Sequence, residues 1–465
     1  MHVLVSLVAL LASAYNVLAG SMPSKIYGVN IGGWLVLEPW MLPAEWEEMG
    51  GQICDDCSDC IMSEWAYTKA YPYKANTEFA NHWSTWFTQD DVNELVADGI
   101  NTARMQLGFW IVEPLVDRAT EFYPEGGIVY LQQGVKMLKD AGIQVILDHH
   151  ALPGVQTGDQ SFTGNCTENV QFYTDYNYQR ALVWTAVMTS LSHLDPNFDS
   201  VFAIEAVNEP IMDADETPDY GTFQYEFVDT VRAVELTLGI PVPGLSLDVQ
   251  VSTTNFTEAL GQVANASTIF NPNVRAALAT AAPILVELSV QLSVPALLNT
   301  DLASGLPSRT TLLTTFMDVN WQYNDPPNPA NAAIGPQGYD NHLYYSYGGV
   351  AAANPTAYME SICNLDRVQA DAAVGDSPLW FGEWGLPTQF NATDEFLYMW
   401  ADAQKLAYSK GAGWIFWNFK VEQSELAGNL SRQWSYIEGV KLGFLTQDPS
   451  QYHNASVCAP YVSSS

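Results

Sequence analysis

Short apolar runs, each closed by polar or aromatic residues, alternate with amphipathic stretches along this chain. The runs occupy residues 27–31, 102–107, 144–147, 201–207, 315–319, 339–343, 379–382 and 413–417. Four to seven residues are too few for a stable helix but suit a strand buried on both faces. Between the runs, residues 90–98, 130–141, 178–191, 225–238 and 393–408 place apolar side chains at three- and four-residue spacing, as a helix with one buried face does. Strand and helix in alternation, with eight strands, predict an α/β fold: a single (β/α)8 TIM barrel, since parallel strands need crossovers and crossover helices cover the sheet. Two stretches depart from an idealised barrel. Residues 43–80 read as a long Cys- and Trp-bearing loop after the first strand, and about 239–307 as a largely helical insertion before the fifth.

In such a barrel, chemistry sits where the strands end, so the residues closing each run are the candidates. They are Asn30 and Trp34, Arg104, Asp148 with His149 and His150, Asn208 and Glu209, Asn320 and Trp321, His342 and Tyr344, Glu383 and Trp384, then Trp417 and Asn418. Glu209, in Asn208-Glu209-Pro210, and Glu383, before Trp384, put carboxylates at the ends of the fourth and seventh strands, across the barrel from each other. Each alone reads equally well as a solvated turn or rim glutamate. Together they match retaining glycoside hydrolysis, which needs two carboxyl groups ~5 to 5.5 Å apart. Arg104 is a candidate to hydrogen-bond the nucleophile and hold it ionised, though an arginine tying two loops together fits the sequence as well. His150 and His342 lie in no H-E-x-x-H and no His-rich spacing. Hydrogen bonds to sugar hydroxyls or to the carboxylates are therefore expected of them, and no metal. Trp384 and Trp417 are candidate sugar platforms. With no G-x-S-x-G elbow, no phosphate-binding P-loop and no G-x-G-x-x-G after a strand, esterase, NTPase and dinucleotide chemistry are disfavoured and no cofactor is expected.

Charge narrows the partners. Seventeen Lys and Arg stand against 52 Asp and Glu, for a net charge of −35, and no basic cluster exists to hold nucleic acid or an anionic membrane. With 48% apolar residues the chain can still bury a large core. Residues 1–19 read as a cleaved secretory signal, apolar but too short to span a bilayer, leaving 20–465 as the barrel domain. The next most apolar stretch, 281–298, contains Glu287, Gln291 and two prolines and is assigned to the soluble fold. Six cysteines in an exported chain point to disulfides. Cys54, Cys57 and Cys60 have zinc-like spacing but no suitable fourth ligand. Sequons begin at Asn165, Asn255, Asn265, Asn391, Asn429 and Asn454.

A family signature also runs through these motifs. Gly28-Val29-Asn30-Ile31-Gly32-Gly33-Trp34, Glu38-Pro39-Trp40, Arg104, Asp148-His149-His150-Ala151-Leu152-Pro153-Gly154, Asn208-Glu209-Pro210, His342-Leu343-Tyr344, Gly382-Glu383-Trp384 and Gly413-Trp414-Ile415-Phe416-Trp417 occur in order. The chain resembles glycoside hydrolase family 5, and within it the secreted fungal endo-β-1,6-glucanases and exo-β-1,3-glucanases. Glu45-Trp46, and Asn81-His82-Trp83 followed by Thr88-Gln89-Asp90-Asp91, resemble the β-1,6 group more closely. The resemblance implies Glu209 as acid/base and Glu383 as nucleophile, with Arg104, His150, Asn208, His342, Tyr344 and Trp417 lining the −1 sugar site and Glu38 near its floor. It also implies a Cys363–Cys458 bridge, with Cys54, Cys57, Cys60 and Cys166 forming two more around the strand 1 and strand 3 loops. The implied protein is a secreted or cell-wall-associated monomer that binds β-glucan polysaccharide or oligosaccharide and acts as an endo-β-1,6-glucanase. An exo-β-1,3-glucanase or β-glucosidase is the alternative enzyme, and a non-catalytic glucan-binding cell-wall protein the alternative of another class. Two features depart from the family pattern: His149-His150-Ala151-Leu152-Pro153-Gly154 replaces its usual Leu-His-Gly-Ala-Pro-Gly, and the 239–307 insertion is unusually long.

Overall fold

The computed structural model describes residues 20–299, 310–321 and 328–462, so the expected signal at 1–19 and the last part of the insertion lie outside the described residues. Eight strands form a closed barrel: β1 Ile26–Asn30, β2 Thr102–Gly108, β3 Gln144–Ala151, β4 Val201–Glu205, β5 Leu313–Met317, β6 Gln337–His342, β7 Leu379–Glu383 and β8 Gly413–Phe416. Each pairs in parallel with the next, and β8 closes on β1. The fold is the (β/α)8 barrel that the alternation of runs predicts. Ile26, Ile146, Phe202, Ala203, Trp380 and Ile415, from five strands, form a small buried cluster of their own, separate from the main core between sheet and helices. The chemistry is left to the opposite, C-terminal rim.

Strand boundaries differ from the apolar runs where polar residues are buried. β3 continues four residues past its run, through Asp148, His149 and His150, all at most 1% exposed. Polarity there marks burial at the site, not the end of the strand. β4 stops two residues before its run does, so Ala206 and Val207 already lead out of the ladder toward Asn208 and Glu209.

The 43–80 segment is a correction to the loop reading. It contains helices Pro43–Met49 and Glu64–Ala70 and the first part of Ala75–Trp86. Pro43 opens the first, and the Ser63 hydroxyl accepts from the Ala66 amide to cap the second. Two of these helices are only seven residues long, too short for periodicity to register. The described part of the insertion holds helices Phe256–Ala266 and Pro272–Gln291, capped by the Asn255 and Asn271 side chains. Pro272–Gln291 is long and apolar enough to cross a membrane, but it packs on helices Asp175–Leu194 and Tyr220–Thr237 and buries Leu278 and Leu285 fully.

All six cysteines are paired. Cys54–Cys60 closes a short loop, Cys57–Cys166 joins it to the loop after β3, and Cys363–Cys458 ties helix Pro355–Cys363 to the C-terminal segment.

Candidate active site

Arg104, on β2, is the hub of the C-terminal rim. It is fully buried, and its planar fork of donors meets carboxylates from four other strands. Nε donates to Glu205 of β4 at 2.9 Å, and Nη1 lies 3.0 Å from Glu383 of β7 and 3.1 Å from Asp148 of β3. Asp340 of β6 stands 3.5 Å from Nε, and Nη2 donates to Asn208 Oδ1 at 2.8 Å. Four carboxylates around one guanidinium cannot all be compensated in a site closed to water. Burial accordingly pushes Asp148 up to about 7 and Glu205 up to about 8, although Arg104 pulls both down.

Glu209 and Glu383 face each other through His342. The His342 Nδ1 is 2.6 Å from Glu209 Oε1 and 3.5 Å from Glu383 Oε2, while the Tyr344 hydroxyl donates to Glu383 Oε2 at 2.9 Å. One oxygen of each glutamate and a nitrogen of His342 lie within 4.8 Å of one another. Three such atoms are near enough to hold a cation, but His342 would have to give up its bond to Glu209. With one oxygen of each carboxyl this close, the pair lies nearer the ~5–5.5 Å separation of retaining hydrolysis than the ~6.5–9.5 Å of inversion. Glu209 sits in the left-handed region at φ 40°, strained for a residue with a side chain.

Burial is the largest influence on Glu383 and raises it to about 8. The neighbouring Glu209 charge adds to the rise, while His342, Arg104 and the Tyr344 hydroxyl oppose it. Arg104 contacts Glu383 as expected and favours its ionised form, against the rise that burial causes. Burial alone would lower His342, but the charges of Glu383 and Asp340 and the bond to Glu209 carry it well above the ordinary histidine value. His150 is held well below that value by burial and by Arg104. Its Nδ1 bonds Asp148 Oδ2 at 2.7 Å.

The remaining candidates divide. Trp417, 4% exposed, lies parallel to His150 with ring centres 5.7 Å apart, over Gly32, where a Cβ would stand 3.0 Å from the indole. Glu38 is 6% exposed, raised to about 8 chiefly by burial, and accepts from the Trp40 indole at 2.9 Å. Trp384 is not a platform: it is fully buried against Tyr408, Trp414 and Phe416. Sequence reading also misses Glu205 and Asp340 as members of the site, along with Trp40, Trp434 and Tyr347, which form a wall beside Tyr344.

Comparison with known proteins identifies the family and several relatives of the chain. The family described as cellulase, glycosyl hydrolase family 5, matches residues 68–423. A glucan endo-1,6-beta-glucosidase B of Emericella nidulans is 29% identical over 444 residues, 93% of this chain and 88% of that one. A probable glucan 1,3-beta-glucosidase A of Aspergillus fumigatus is 33% identical over 196 residues, 40% of this chain and 41% of that one. Among solved structures, rutinosidase from Aspergillus niger shares the fold with a TM-score of 0.58 at 17% identity, covering 90% of this chain and 97% of that one. With most of its length inside the family match, the chain belongs to glycosyl hydrolase family 5 and is a glycoside hydrolase.

Proposed function

We propose that the protein is a retaining β-glucan hydrolase that cleaves β-1,6-linked glucan internally, with Glu383 as nucleophile and Glu209 as acid/base. The observation that carries the reading is the approach of one oxygen of each carboxylate to within 4.8 Å, at the end of β7 and just past β4. Glu383 attacks the anomeric carbon while Glu209 protonates the departing glycosidic oxygen. The glycosyl-enzyme then breaks down as Glu209 takes a proton from water. Arg104 and the Tyr344 hydroxyl hold the two oxygens of Glu383, so its attacking geometry is set before substrate arrives. His342, close to both glutamates, balances negative charge as the proton moves between states. His150, Asn208, Trp417 and Glu38 complete the −1 sugar site, where glucose hydroxyls meet hydrogen-bonding groups and one flat indole.

The β-1,6 linkage is supported by the relative named for that activity, which aligns over nearly the whole of both chains, whereas the 1,3-named relative aligns over less than half. Three disulfides and the apolar stretch at 1–19 support export, with 20–465 as the working enzyme. The test is incubation of purified protein with β-1,6-glucan and β-1,3-glucan separately, resolving products by length. The expected result is early release of mixed β-1,6 oligosaccharides. Glucose alone from the first minutes, or cleavage of β-1,3-glucan only, would replace this reading with an exo-acting or β-1,3 enzyme.

A further inference from the structure

One wall of the site is a strip of aromatic rings that extends past the catalytic pair. Trp40 and Trp434 meet at 5.3 Å, Trp434 and Tyr344 at 5.6 Å, and Tyr344 and Tyr347 at 5.7 Å. The Trp40 indole donates to Glu38 and the Tyr344 hydroxyl to Glu383, so the strip begins at the cleavage site. It ends in water: Trp434 is 9% exposed and Tyr347 75%. That exposure is built in. The neighbouring Tyr345 is buried, its carbonyl accepts from the Tyr358 hydroxyl at 2.7 Å and Gln389 Nε2 at 2.8 Å, and Gly348 and Gly349, both at positive φ, turn the chain directly after Tyr347. A tyrosine ring held out on an anchored turn, continuous with the site's own aromatics, offers a flat apolar face that the described residues leave uncovered.

We infer that Tyr347 is the platform of an additional subsite, stacking on the C–H face of a β-glucosyl unit next to the one held at Glu383. The inference rests on the reading of the site as glucan-cleaving. Tyr347→Ala and Tyr347→Trp are compared with native enzyme on gluco-oligosaccharides of increasing length, in both linkages, and on an aryl β-glucoside. Tyr347→Ala should lower kcat/KM about three- to tenfold on the longer oligosaccharides, through KM and by more than on the aryl glucoside, with Tyr347→Trp near native. Equal loss on every substrate, or no loss at any length, overturns the subsite. Which linkage series is cut tests the functional reading separately, and retardation in gels containing each glucan reads the Tyr347 contact without turnover.

An independent observation concerns how Glu209 is held. Its backbone is at φ 40°, and the Thr157 hydroxyl donates to its carbonyl. Next to Thr157, the fully buried Gln156 donates from Nε2 to the carbonyls of His150 and Asn208 at 2.7 and 3.1 Å. The loop after β3 thereby clamps the segment after β4. The geometry points to Thr157 as a positioning residue that acts through Glu209. Thr157→Val keeps the shape and removes the donor. It should slow hydrolysis of glycosides with poor leaving groups about tenfold while sparing activated aryl glycosides, with recovery in Thr157→Ser. Glu209→Ala is run beside it: if that variant loses no acid catalysis, the role of Glu209 falls. If Glu209→Ala loses it and Thr157→Val does not, or Thr157→Val slows all substrates alike, the positioning role falls.

Discussion

Replacing Arg104 by methionine keeps the length and apolar stem of the side chain and removes every donor from the centre of the site. The guanidinium faces Asp148, Glu205, Asp340 and Glu383 at distances between 2.9 and 3.5 Å, all in a region closed to solvent. Removing one partner of a buried ion pair costs about 3–5 kcal/mol when the other stays charged. Here the carboxyls can take up protons instead, so the cost depends on pH. Burial already puts Asp148 at about 7 and Glu205 at about 8 against the pull of Arg104, and both rise further without it. A carboxyl whose folded pKa lies above its unfolded value stabilises the fold fully below the unfolded value, and that contribution is lost as pH rises through the folded one. In the native protein the loss ends just above those values; in the variant it continues to higher pH. The deficit of Arg104→Met should therefore be small near pH 4 and grow to about 3–5 kcal/mol at mildly alkaline pH. Urea titrations followed by tryptophan fluorescence across that range read it as a shift in midpoint at constant slope. Since Arg104 also pulls Glu383 down, the acid limb of kcat/KM for an aryl glucoside should move upward in the variant. A deficit that does not change with pH, together with an unmoved acid limb, would show that Arg104 does not hold these carboxyls in their ionised form.

Glu209→Ala should reduce turnover of glycosides with poor leaving groups by about 10²–10⁴-fold and spare activated ones, while Glu383→Gln stops both, as steady-state kinetics on paired substrates would reveal. The native fold should be most stable in acid and weaken as pH rises toward 8, because burial lifts Glu64 to about 8 and, with Asp318 beside it, Asp371 to about 8. Thermal melts that improve steadily into the alkaline range would contradict this. Replacing Cys363 and Cys458 together by serine opens a link between positions 95 residues apart and should cost about 4 kcal/mol of stability, measured by urea denaturation, with kinetics on a short substrate preserved.

Much of this was legible because the barrel writes itself into sequence twice, as apolar runs and as the polar residues that close them. The seventh run and Glu383 coincide with β7, and Glu209 follows β4 by a few residues, so the facing pair could be read from spacing. Glu205 and Asp340 left a signal that went unused: each is a carboxylate inside a run otherwise read as buried, which demands a buried partner, and Arg104 is that partner. Adjacency to Glu383 does not make Trp384 a platform: neighbouring side chains along an extended backbone point to opposite sides, and Trp384, directly after β7, points into the core. Tyr347 and Trp434 have no local signal, since they come together from the loop after β6 and the short helix Ser431–Trp434 after β8, and their contact is long-range. The pull of burial on Glu383 also depends on how completely the surrounding loops close over it, and spacing does not encode that.

The proposed mechanism passes through a covalent glycosyl-enzyme on Glu383. Incubation with an activated fluoroglucoside that slows deglycosylation, followed by proteolysis and mass spectrometry, reads it directly. One glycosyl adduct is expected on the peptide bearing Glu383, absent in Glu383→Gln. An adduct on another carboxylate, or no adduct together with inverted product from native enzyme, would contradict it.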